Sequence, residues 1–363
     1  MKNNLRVAIA GVGSCASSIV QLVAMAKNNN ENKLSGVAYS QIGEYQAKDI
    51  EFVCAFEVDE RKVGLDLSEA IFTEPNMSIK HVEVPNLDVI VEPGPLLDGL
   101  EGNLATVIKP HEKSYYSSVD YVVSKLEEAK ADVLVCFMPT GSSDAVRAYA
   151  SAAVKAKAAF INATPELISN DPFFKKAFEE AGVPLLGDDL RSHLGATTLH
   201  TALIELMHSR GIDVTNTYQL NFGGNMDFLN LSNPNRSASK QISKRKALSS
   251  AGIDASTVAA GPNGFVEYLG DRKVCYLRLE GNSILNSPIS MEIRLEVEDS
   301  PNSAGVIINA IRCAKLAKDI GLSGVVEDVC PMLFKSPPKG ATESEALSLF
   351  EGFINNKQAA LLK

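Results

Sequence analysis

The segment LRVAIAGVGSCASSIVQLVAMA, near the start of the chain, constrains the fold more than any other stretch. A short apolar run is followed by Gly11, Gly13 and Ala16 in the spacing G-x-G-x-x-A, and apolar residues then recur with helical periodicity. The first glycine permits a tight turn, the second lets backbone approach a pyrophosphate, and the small third residue lets the helix pack closely. The pattern predicts a strand, a dinucleotide-binding turn and a helix whose N-terminus faces phosphate.

The next apolar run, FVCAFEVDE, leads into Glu57, with Asp59 two residues further on. An acid at the tip of the second strand binds the ribose hydroxyls of a dinucleotide and disfavours a 2'-phosphate, so we expect NAD rather than NADP. The alternative is that Glu57 is only a polar strand end. The spacing from the glycines exceeds the usual twenty or so residues, because a polar segment from Asn28 to Asp49 intervenes. The pattern assigns no role to that segment.

Apolar strand-like runs then alternate with helical patterns over residues 116–130 and 144–157. This alternation predicts an α/β fold with a doubly wound, parallel, Rossmann-type sheet. Ligands of such sheets bind beyond the carboxyl ends of the strands. We therefore expect the loops after the later strands to face the cofactor, which nominates Thr140, Ser142, Asn162, Asp188 and Asp189.

The pattern changes after Asp213, where TYQLNF, KVCYLRLEG and ISMEIRLEVED alternate strictly between apolar and polar residues. Strict alternation is typical of an antiparallel sheet with one buried face, so we predict a second α+β domain built on a mostly antiparallel sheet. A chain of 363 residues is also longer than one core usually supports. We expect a nucleotide-binding domain over 1–195, a catalytic and oligomerisation domain over 196–310, and a helical segment over 311–363 that packs back on the first domain.

Lys273 and Asp299 lie on the apolar faces of two successive predicted strands. If the strands form a hairpin in which these two residues pair, the turn centres on residue 286 and both charges meet at one end of the sheet. Buried charges are costly unless they are paired or used, which favours a catalytic site. A structural ion pair at the rim is the alternative.

Residues 221–246 carry Arg236, Lys240 and Lys244 at the spacing i, i+4, i+8, in a chain of net charge -9. Like charges on one helical face repel each other, and a bound anion would explain them. The alternative is a solvated basic surface helix.

A second anion site is predicted where a strand end is followed by small and hydroxyl residues at the start of a helix, namely Ser192, Gly195, Ala196 and Thr197. A plain capping turn is the alternative there.

The sequence pI of about 5.2 argues against nucleic acid or a membrane surface as partner. Six cysteines are scattered singly, mostly in apolar runs, which indicates core residues in a reducing compartment rather than disulfides or a zinc site. We find no signal-like N-terminus and no run of about twenty apolar residues. These features predict a cytoplasmic protein.

Seven motifs occur in the order GVGSCASS, LLGDDLRSHLGAT, GGNMDFLN, SKQISK, GDRKV, EDSPNSAG and LFKSPP. Together they resemble the myo-inositol-1-phosphate synthase family, in its shorter bacterial and archaeal type. The resemblance implies an isomerase that converts glucose 6-phosphate to 1L-myo-inositol 1-phosphate with NAD, in a homotetramer. The implied steps are oxidation at C5, enolisation, intramolecular aldol cyclisation and reduction, with no net redox. Such steps need cations beside developing oxyanions and bases with lowered pKa values.

The resemblance also implies residue roles. The implied catalytic residues are Lys240, Lys244, Lys273, Lys335, Asp227 and Asp299. Lys273 and Lys240 are expected at the oxyanions and proton transfers, and Lys244 and Lys335 nearer phosphate or the C5 or C1 oxygen. The implied cofactor residues are Gly11, Gly13, Ser14, Cys15, Ala16, Glu57, Asp59, Thr140, Ser142, Asn162, Asp188, Asp189 and Ser300. Ser192, Gly195, Ala196 and Thr197 are implied for the substrate phosphate.

One departure from the family pattern is Arg191, where related chains often have lysine, since arginine binds anions but does not act as a base. Whether the protein also requires a divalent or monovalent cation stays open, because no group of residues in the sequence has the spacing of metal ligands. Two other functions stay open as well: an NAD-dependent dehydrogenase acting on a phosphorylated hydroxy compound, and a catalytically silent NAD-binding protein.

Overall fold

The computed structural model describes residues 4–29, 34–256 and 258–361. The strands in chain order are β1 (Leu5–Ala10), β2 (Gln41–Ile42), β3 (Tyr45–Gln46), β4 (Ile50–Glu57), β5 (Val91–Pro93), β6 (Val133–Cys136), β7 (Ala159–Asn162), β8 (Pro184–Leu186), β9 (Asp213–Gly223), β10 (Ala260–Phe265), β11 (Arg272–Asn282), β12 (Pro288–Glu298) and β13 (Gly324–Val325). The α-helices are α1 (Ser14–Asn28), α2 (Leu67–Ala70), α3 (Val119–Glu128), α4 (Ser143–Lys155), α5 (Pro172–Ala181), α6 (Ala196–Ser209), α7 (Met226–Leu231), α8 (Pro234–Ser250), α9 (Asp299–Asp319), α10 (Cys330–Leu333) and α11 (Glu343–Leu361).

The first sheet has seven parallel strands in the order β13-β8-β7-β6-β1-β4-β5. Its central strands are nearly continuous apolar runs because both faces are covered by helices. Helices α1 and α9 contribute to the core on one face, and α3, α4 and α5 to the core on the other. The strand order reverses between β1 and β6, which opens a crevice at the carboxyl ends of the strands. The doubly wound Rossmann-type prediction is confirmed.

The second sheet has four strands in the order β10-β9-β11-β12. The pairs β9/β11 and β11/β12 are antiparallel and the pair β10/β9 is parallel, so the sheet is mostly antiparallel, as predicted. The hairpin register differs from the expectation, since Lys273 lies opposite Val297 rather than Asp299. An even shift of two residues preserves the faces of the strands. The strand stops at Glu298 because α9 begins at the next residue.

Helix α9 packs against strands of the first sheet and against α1. It begins at Asp299, one residue before Ser300. The Ser300 hydroxyl donates to Asp271 Oδ1 at 2.7 Å. Helix α9 crosses residue 310 without a break, and β13 joins the first sheet. The domain limits at 195 and 310 stay a prediction.

The described part of the segment 28–49 forms a short hairpin, β2 and β3, which is anchored on α9. Arg312 Nη1 donates to the Tyr39 carbonyl at 2.9 Å, and the Tyr45 hydroxyl donates to Asp319 at 2.6 Å. Residues 30–33, which belong to the same predicted excursion, lie outside the described residues. Among the described helices, none combines the length and the apolar character required to cross a membrane.

Candidate functional site

A cavity of about 290 Å³ lies beyond the carboxyl ends of the parallel strands, between the two sheets. One side is formed by the glycine turn after β1 and by the loops after β4 and β6. The other side is formed by α7, α8 and the end of the second sheet. The cavity therefore joins the expected nucleotide site to the segment that carries the basic residues.

The glycine turn has the conformation that its sequence predicts. Gly11 has a φ of +92°, and a Cβ at this position would lie 2.9 Å from the carbonyl oxygen of Phe137. Only glycine fits this turn without strain. Helix α1 begins at Ser14, so its free N–H groups and positive dipole end lie at the cavity.

The acid at the end of β4 is bound to this turn. Glu57 Oε2 accepts from the Val12 amide at 2.8 Å, and Lys62 Nζ donates to the Val12 carbonyl at 2.7 Å. Both side chains line the cavity, and Lys62 is buried. Burial lowers the pKa of Lys62, and the nearby carboxylate of Glu57 opposes this effect. The backbone amide of Val12 is thus bound to the Glu57 carboxylate, and its carbonyl is bound to the Lys62 ammonium.

Seven of the expected cofactor residues line the cavity: Gly11, Gly13, Ser14, Cys15, Glu57, Thr140 and Ser300. Six are not part of the lining: Ala16, Asp59, Ser142, Asn162, Asp188 and Asp189.

Two of these acids have local partners instead. Asp59 pairs with Arg61 at 2.7 Å, and Asp188 accepts from Asn162 Nδ2 at 2.8 Å and from the Ser169 amide at 3.0 Å. These contacts join Asp59, Asn162 and Asp188 to neighbouring protein groups, and the expectation that the three residues face the cofactor stays a prediction. The sequence places the residues at strand ends, but it does not give the direction of each side chain.

The four predicted lysines converge on the cavity from three separate segments. Lys240 and Lys244 extend from α8, Lys273 from β11, and Lys335 from the segment after α10. The backbone N–H of Lys335 donates to the carbonyl of Asp189 at 2.7 Å, which brings the last segment against the loop after β8.

Arg236, on the same helix as Lys240, does not take part in this convergence. Its guanidinium donates to the carbonyls of Thr140 and Asp98 at 3.2 and 2.7 Å. This corrects the expectation of one anion-binding face from Arg236 through Lys244, because Arg236 connects backbone segments.

Three carboxylates balance the lysines. Asp189 Oδ1 lies 3.1 Å from Lys335 Nζ and 3.4 Å from Lys240 Nζ. Asp227 lies 3.9 Å from Lys240, and Asp299 lies 3.0 Å from Lys273. Asp189 and Lys335 are buried, and Lys240, Lys273 and Asp299 are partly buried, so the charges of these groups interact more strongly than they would in water.

The four lysines have different pKa values because their burial and their charged neighbours differ. Burial alone would lower the pKa of Lys240 and of Lys273, but the neighbouring carboxylates of Asp189 and Asp299 raise both values above the usual range. Burial lowers the pKa of Lys335 to about 8, in spite of Asp189. The Lys244 pKa also lies well below normal because of burial and the positive charges of Lys273 and Lys335. The site therefore holds two cationic lysines beside two that lose a proton more easily.

The expected phosphate turn lies at the same cavity. Ser192, Ala196 and Thr197 line it, whereas Gly195, the residue before α6, is not part of the lining. A Cβ at Gly195 would lie 2.5 Å from the Ser192 Cβ, so glycine permits the tight approach of the chain to Ser192. Arg191 also lines the cavity.

The sequence did not nominate several residues that line the cavity. Asn225 donates to Asp299 Oδ2 at 3.1 Å and so orients that carboxylate. The sequence signal that could have identified Asn225 is its position within the motif GGNMD, two residues before the implied catalytic Asp227. An apolar wall between β5 and α3 was also missed, and it contributes Leu96, Leu97, Leu100, Leu104 and Ile108. Within the described residues, no group of three or more His, Cys, Asp and Glu is placed to hold a metal ion.

The seven-stranded parallel sheet, the glycine turn and the cavity with its four lysines place this chain in the class of Rossmann-type proteins. In this chain a charged site lies next to the nucleotide-binding turn. Comparison with known sequences is more specific. The family model described as myo-inositol-1-phosphate synthase matches residues 195–300. The inositol-3-phosphate synthase of Mycolicibacterium smegmatis is 48% identical, with 96% of this chain and 98% of that protein covered. That of Corynebacterium glutamicum is 43% identical, with 97% and 98% covered.

Solved structures agree with this assignment. A myo-inositol-1-phosphate synthase-related protein from Thermotoga maritima has a TM-score of 0.82 at 26% identity, covering 97% of this chain and 98% of that one. The inositol-3-phosphate synthase of Caenorhabditis elegans, at 16% identity and a TM-score of 0.75, covers 98% and 86% and shares the fold. This chain belongs to the inositol-3-phosphate synthase family, which confirms the resemblance in its motifs.

Proposed function

We propose that this chain is an isomerase that converts glucose 6-phosphate to 1L-myo-inositol 1-phosphate, with NAD as a recycled cofactor. The observation that carries the proposal is the convergence of Lys240, Lys244, Lys273 and Lys335 on a cavity that also contains the glycine turn. The names of the relatives that match nearly the whole chain support the same reaction.

The residues at the glycine turn fit NAD. Gly11 permits the tight turn, Gly13 leaves open space for a pyrophosphate, and the N-terminus of α1 supplies free N–H groups. The Glu57 carboxylate, already within the lining, suits ribose hydroxyls and repels a 2'-phosphate. When bound, NAD would supply hydride removal at C5 of the sugar and return the hydride at the end of the cycle.

The lysines have complementary tasks in this proposal. Lys240 and Lys273 stay protonated beside carboxylates, so they stabilise negative charge that develops on the C5 and C1 oxygens of the substrate. Lys335, with a pKa of about 8, accepts a proton from the substrate and returns it later. Lys244 stays close to the phosphate. Asp227 and Asp299 hold Lys240 and Lys273 in place.

The phosphate of the substrate binds at the start of α6. Ser192 and Thr197 offer hydroxyl groups there, and the first turn of the helix contains no acid. Anchoring one end of the sugar fixes the reacting carbons relative to the lysines, which lowers the entropic cost of cyclisation.

We further propose that the protein acts in the cytoplasm as a homotetramer, with subunit contacts made by the second domain. The edge strand β12 supports this proposal. Its apolar residues, among them Ile289, Met291 and Ile293, are only half-buried within one chain. Light scattering of the purified protein measures the assembly directly, and a monomer would contradict it.

The decisive experiment incubates the purified protein with glucose 6-phosphate and NAD and identifies the product by NMR. The isomerase gives inositol phosphate without net NADH. A dehydrogenase would give NADH in proportion to product. A silent NAD-binding protein would give neither, and either of these results would overturn the proposal.

A further inference from the structure

Arg191 is a buried cation at the cavity whose side chain is only partly used by the protein. It is 5% exposed and lines the cavity directly before Ser192. Its backbone N–H donates to the Leu333 carbonyl at 2.9 Å, which fixes the main chain at this point. The residue therefore occupies a defined position beside the start of α6.

The guanidinium is held by the first residue of the last helix. Arg191 Nη1 donates to Glu343 Oε1 at 2.5 Å, and the same oxygen accepts from the Thr201 hydroxyl at 2.6 Å. The amide of Glu343 donates to Glu205 at 2.6 Å. Since Thr201 and Glu205 belong to α6, this contact locks the start of α11 against the helix whose N-terminus lies at the cavity.

One donor of the guanidinium has no partner among the residues that the structure describes. The Nε of Arg191 is buried and makes no hydrogen bond to the described residues. A buried donor without a partner is costly, and such groups in native structures call for an explanation. Arginine is also the side chain that best matches a phosphate, because its planar fork offers several N–H groups in a fixed geometry.

We propose that Arg191 binds the phosphate of the substrate through this free edge, and that Glu343 is the positioning residue that holds it there. This inference rests on the proposed function and makes it more specific. The phosphate then contacts the Arg191 cation in addition to the N-terminus of α6. Docking of α11 onto the body of the protein thereby becomes a condition for recognising the phosphate.

The first test replaces Arg191 and follows KM for glucose 6-phosphate. Arg191→Met removes the cation, so we expect KM to rise about tenfold or more while kcat changes little, as for a lost charge-assisted hydrogen bond. Arg191→Lys keeps the charge without the planar fork, so its KM should lie between those of the wild type and Arg191→Met. An unchanged KM in both variants, with a lower melting temperature, would reduce Arg191 to a structural ion pair and overturn the proposal.

The second test addresses the positioning role of Glu343. Glu343→Ala releases the guanidinium and should raise KM for glucose 6-phosphate by about threefold or more. Glu343→Gln keeps an oxygen that accepts from Arg191, so its KM should stay near the wild-type value. Glu345→Ala is the control, because Glu345 contacts Thr342 at the same helix end and is exposed. Equal KM values in Glu343→Ala and Glu345→Ala would contradict the positioning role.

Binding of inorganic phosphate separates this inference from the proposed function. Calorimetry on the wild type and Arg191→Met measures it without any turnover. Weaker phosphate binding in Arg191→Met supports the site even if the wild type makes no inositol phosphate. Equal binding in both proteins overturns the site even if the synthase activity is established.

Discussion

Lys273 Nζ lies 3.0 Å from Asp299 Oδ1, and the two residues meet at the junction of β12 and α9. Asp299 is the first residue of α9 and also accepts from Asn225, so its carboxylate is fixed from two sides. Burial would lower the pKa of the lysine, but this carboxylate raises it. Asp299 is therefore the main acid that keeps this lysine charged, and Asp227 adds a smaller effect in the same direction.

We expect Asp299→Asn to lower kcat by about a hundredfold, the usual effect of losing a preorganised charge that stabilises an oxyanion. Without the carboxylate, burial and Lys240 lower the pKa of Lys273, and the amine loses its charge at a lower pH. Steady-state kinetics over a range of pH measures both effects. The control is Glu296→Gln, since Glu296 pairs with Arg272 and Arg294 outside the cavity. Equal kcat values in both variants would contradict the role of Asp299.

The second prediction concerns the pH dependence that Lys335 gives to the reaction. Because its pKa is about 8, the amine is mainly charged below that pH and becomes a base above it. We expect kcat to rise with pH through about 8. Asp189→Asn removes the carboxylate that supports the charged form, so the rise should move to lower pH. Lys335→Arg should abolish the rise, since arginine keeps its proton.

A pH profile that is the same in the wild type and in Asp189→Asn would show that another group controls the rise. Folding stability offers an independent check. The unfolded chain binds more protons at Lys335 than the folded one between pH 8 and the ordinary lysine value of 10.5, so the contribution of Lys335 to stability increases with pH over that window.

The sequence predicted those parts of the site that depend on local pattern. The glycine turn requires particular residues at fixed spacing. Strand alternation predicted that Lys273 and Asp299 meet at one end of the sheet, and they do so although the register is shifted by two residues and Asp299 begins α9. The sequence pattern does not determine where a side chain at a strand end or on a basic helix points. For this reason the sequence did not show that Asp59 pairs with Arg61, or that Arg236 donates to the carbonyls of Asp98 and Thr140.

Contacts between segments that are far apart in the sequence could not be predicted from the pattern either. The pairing of Arg191 with Glu343 joins residues 152 positions apart, and no local periodicity connects them. The apolar wall after β5 includes two 3-10 helices of three and five residues, which are too short to show a helical period in the sequence.

The third prediction concerns the choice of cofactor at Glu57. This carboxylate holds the Val12 amide and lines the cavity, with the Lys62 ammonium on the other side of the same residue. Glu57→Ser should weaken NAD binding by about tenfold, as one charge-assisted hydrogen bond is lost. It should also improve NADP binding, because Lys62 then faces a 2'-phosphate without a competing acid.

Titration calorimetry with NAD and with NADP measures the Glu57→Ser effect. Glu60→Gln is the matched control, since Glu60 is near in sequence but pairs with Lys109 outside the cavity lining. If Glu57→Ser changes neither affinity, the carboxylate does not contact the ribose.

The fourth prediction concerns Arg236, which fastens the apolar wall to α8. Its guanidinium donates to the carbonyls of Asp98 and Thr140, so it connects the wall with the loop after β6. In the proposed cycle the NADH formed at the first step must stay bound until the last step. If the apolar wall no longer binds to α8, we expect NADH to dissociate before it reduces the cyclised ketone.

We therefore expect Arg236→Ala to accumulate NADH and an oxidised sugar phosphate during turnover, whereas the wild type accumulates neither. The loss of two hydrogen bonds from a buried cation is expected to weaken NADH retention by about tenfold or more. NADH absorbance, followed together with product formation, gives the ratio of escape to completed cycles. Arg245→Ala is the control, because Arg245 lies on the same helix and also donates to a carbonyl, that of Val258, but is not part of the cavity lining. Equal NADH accumulation in the two variants would mean that Arg236 stabilises the helix alone and does not close the site.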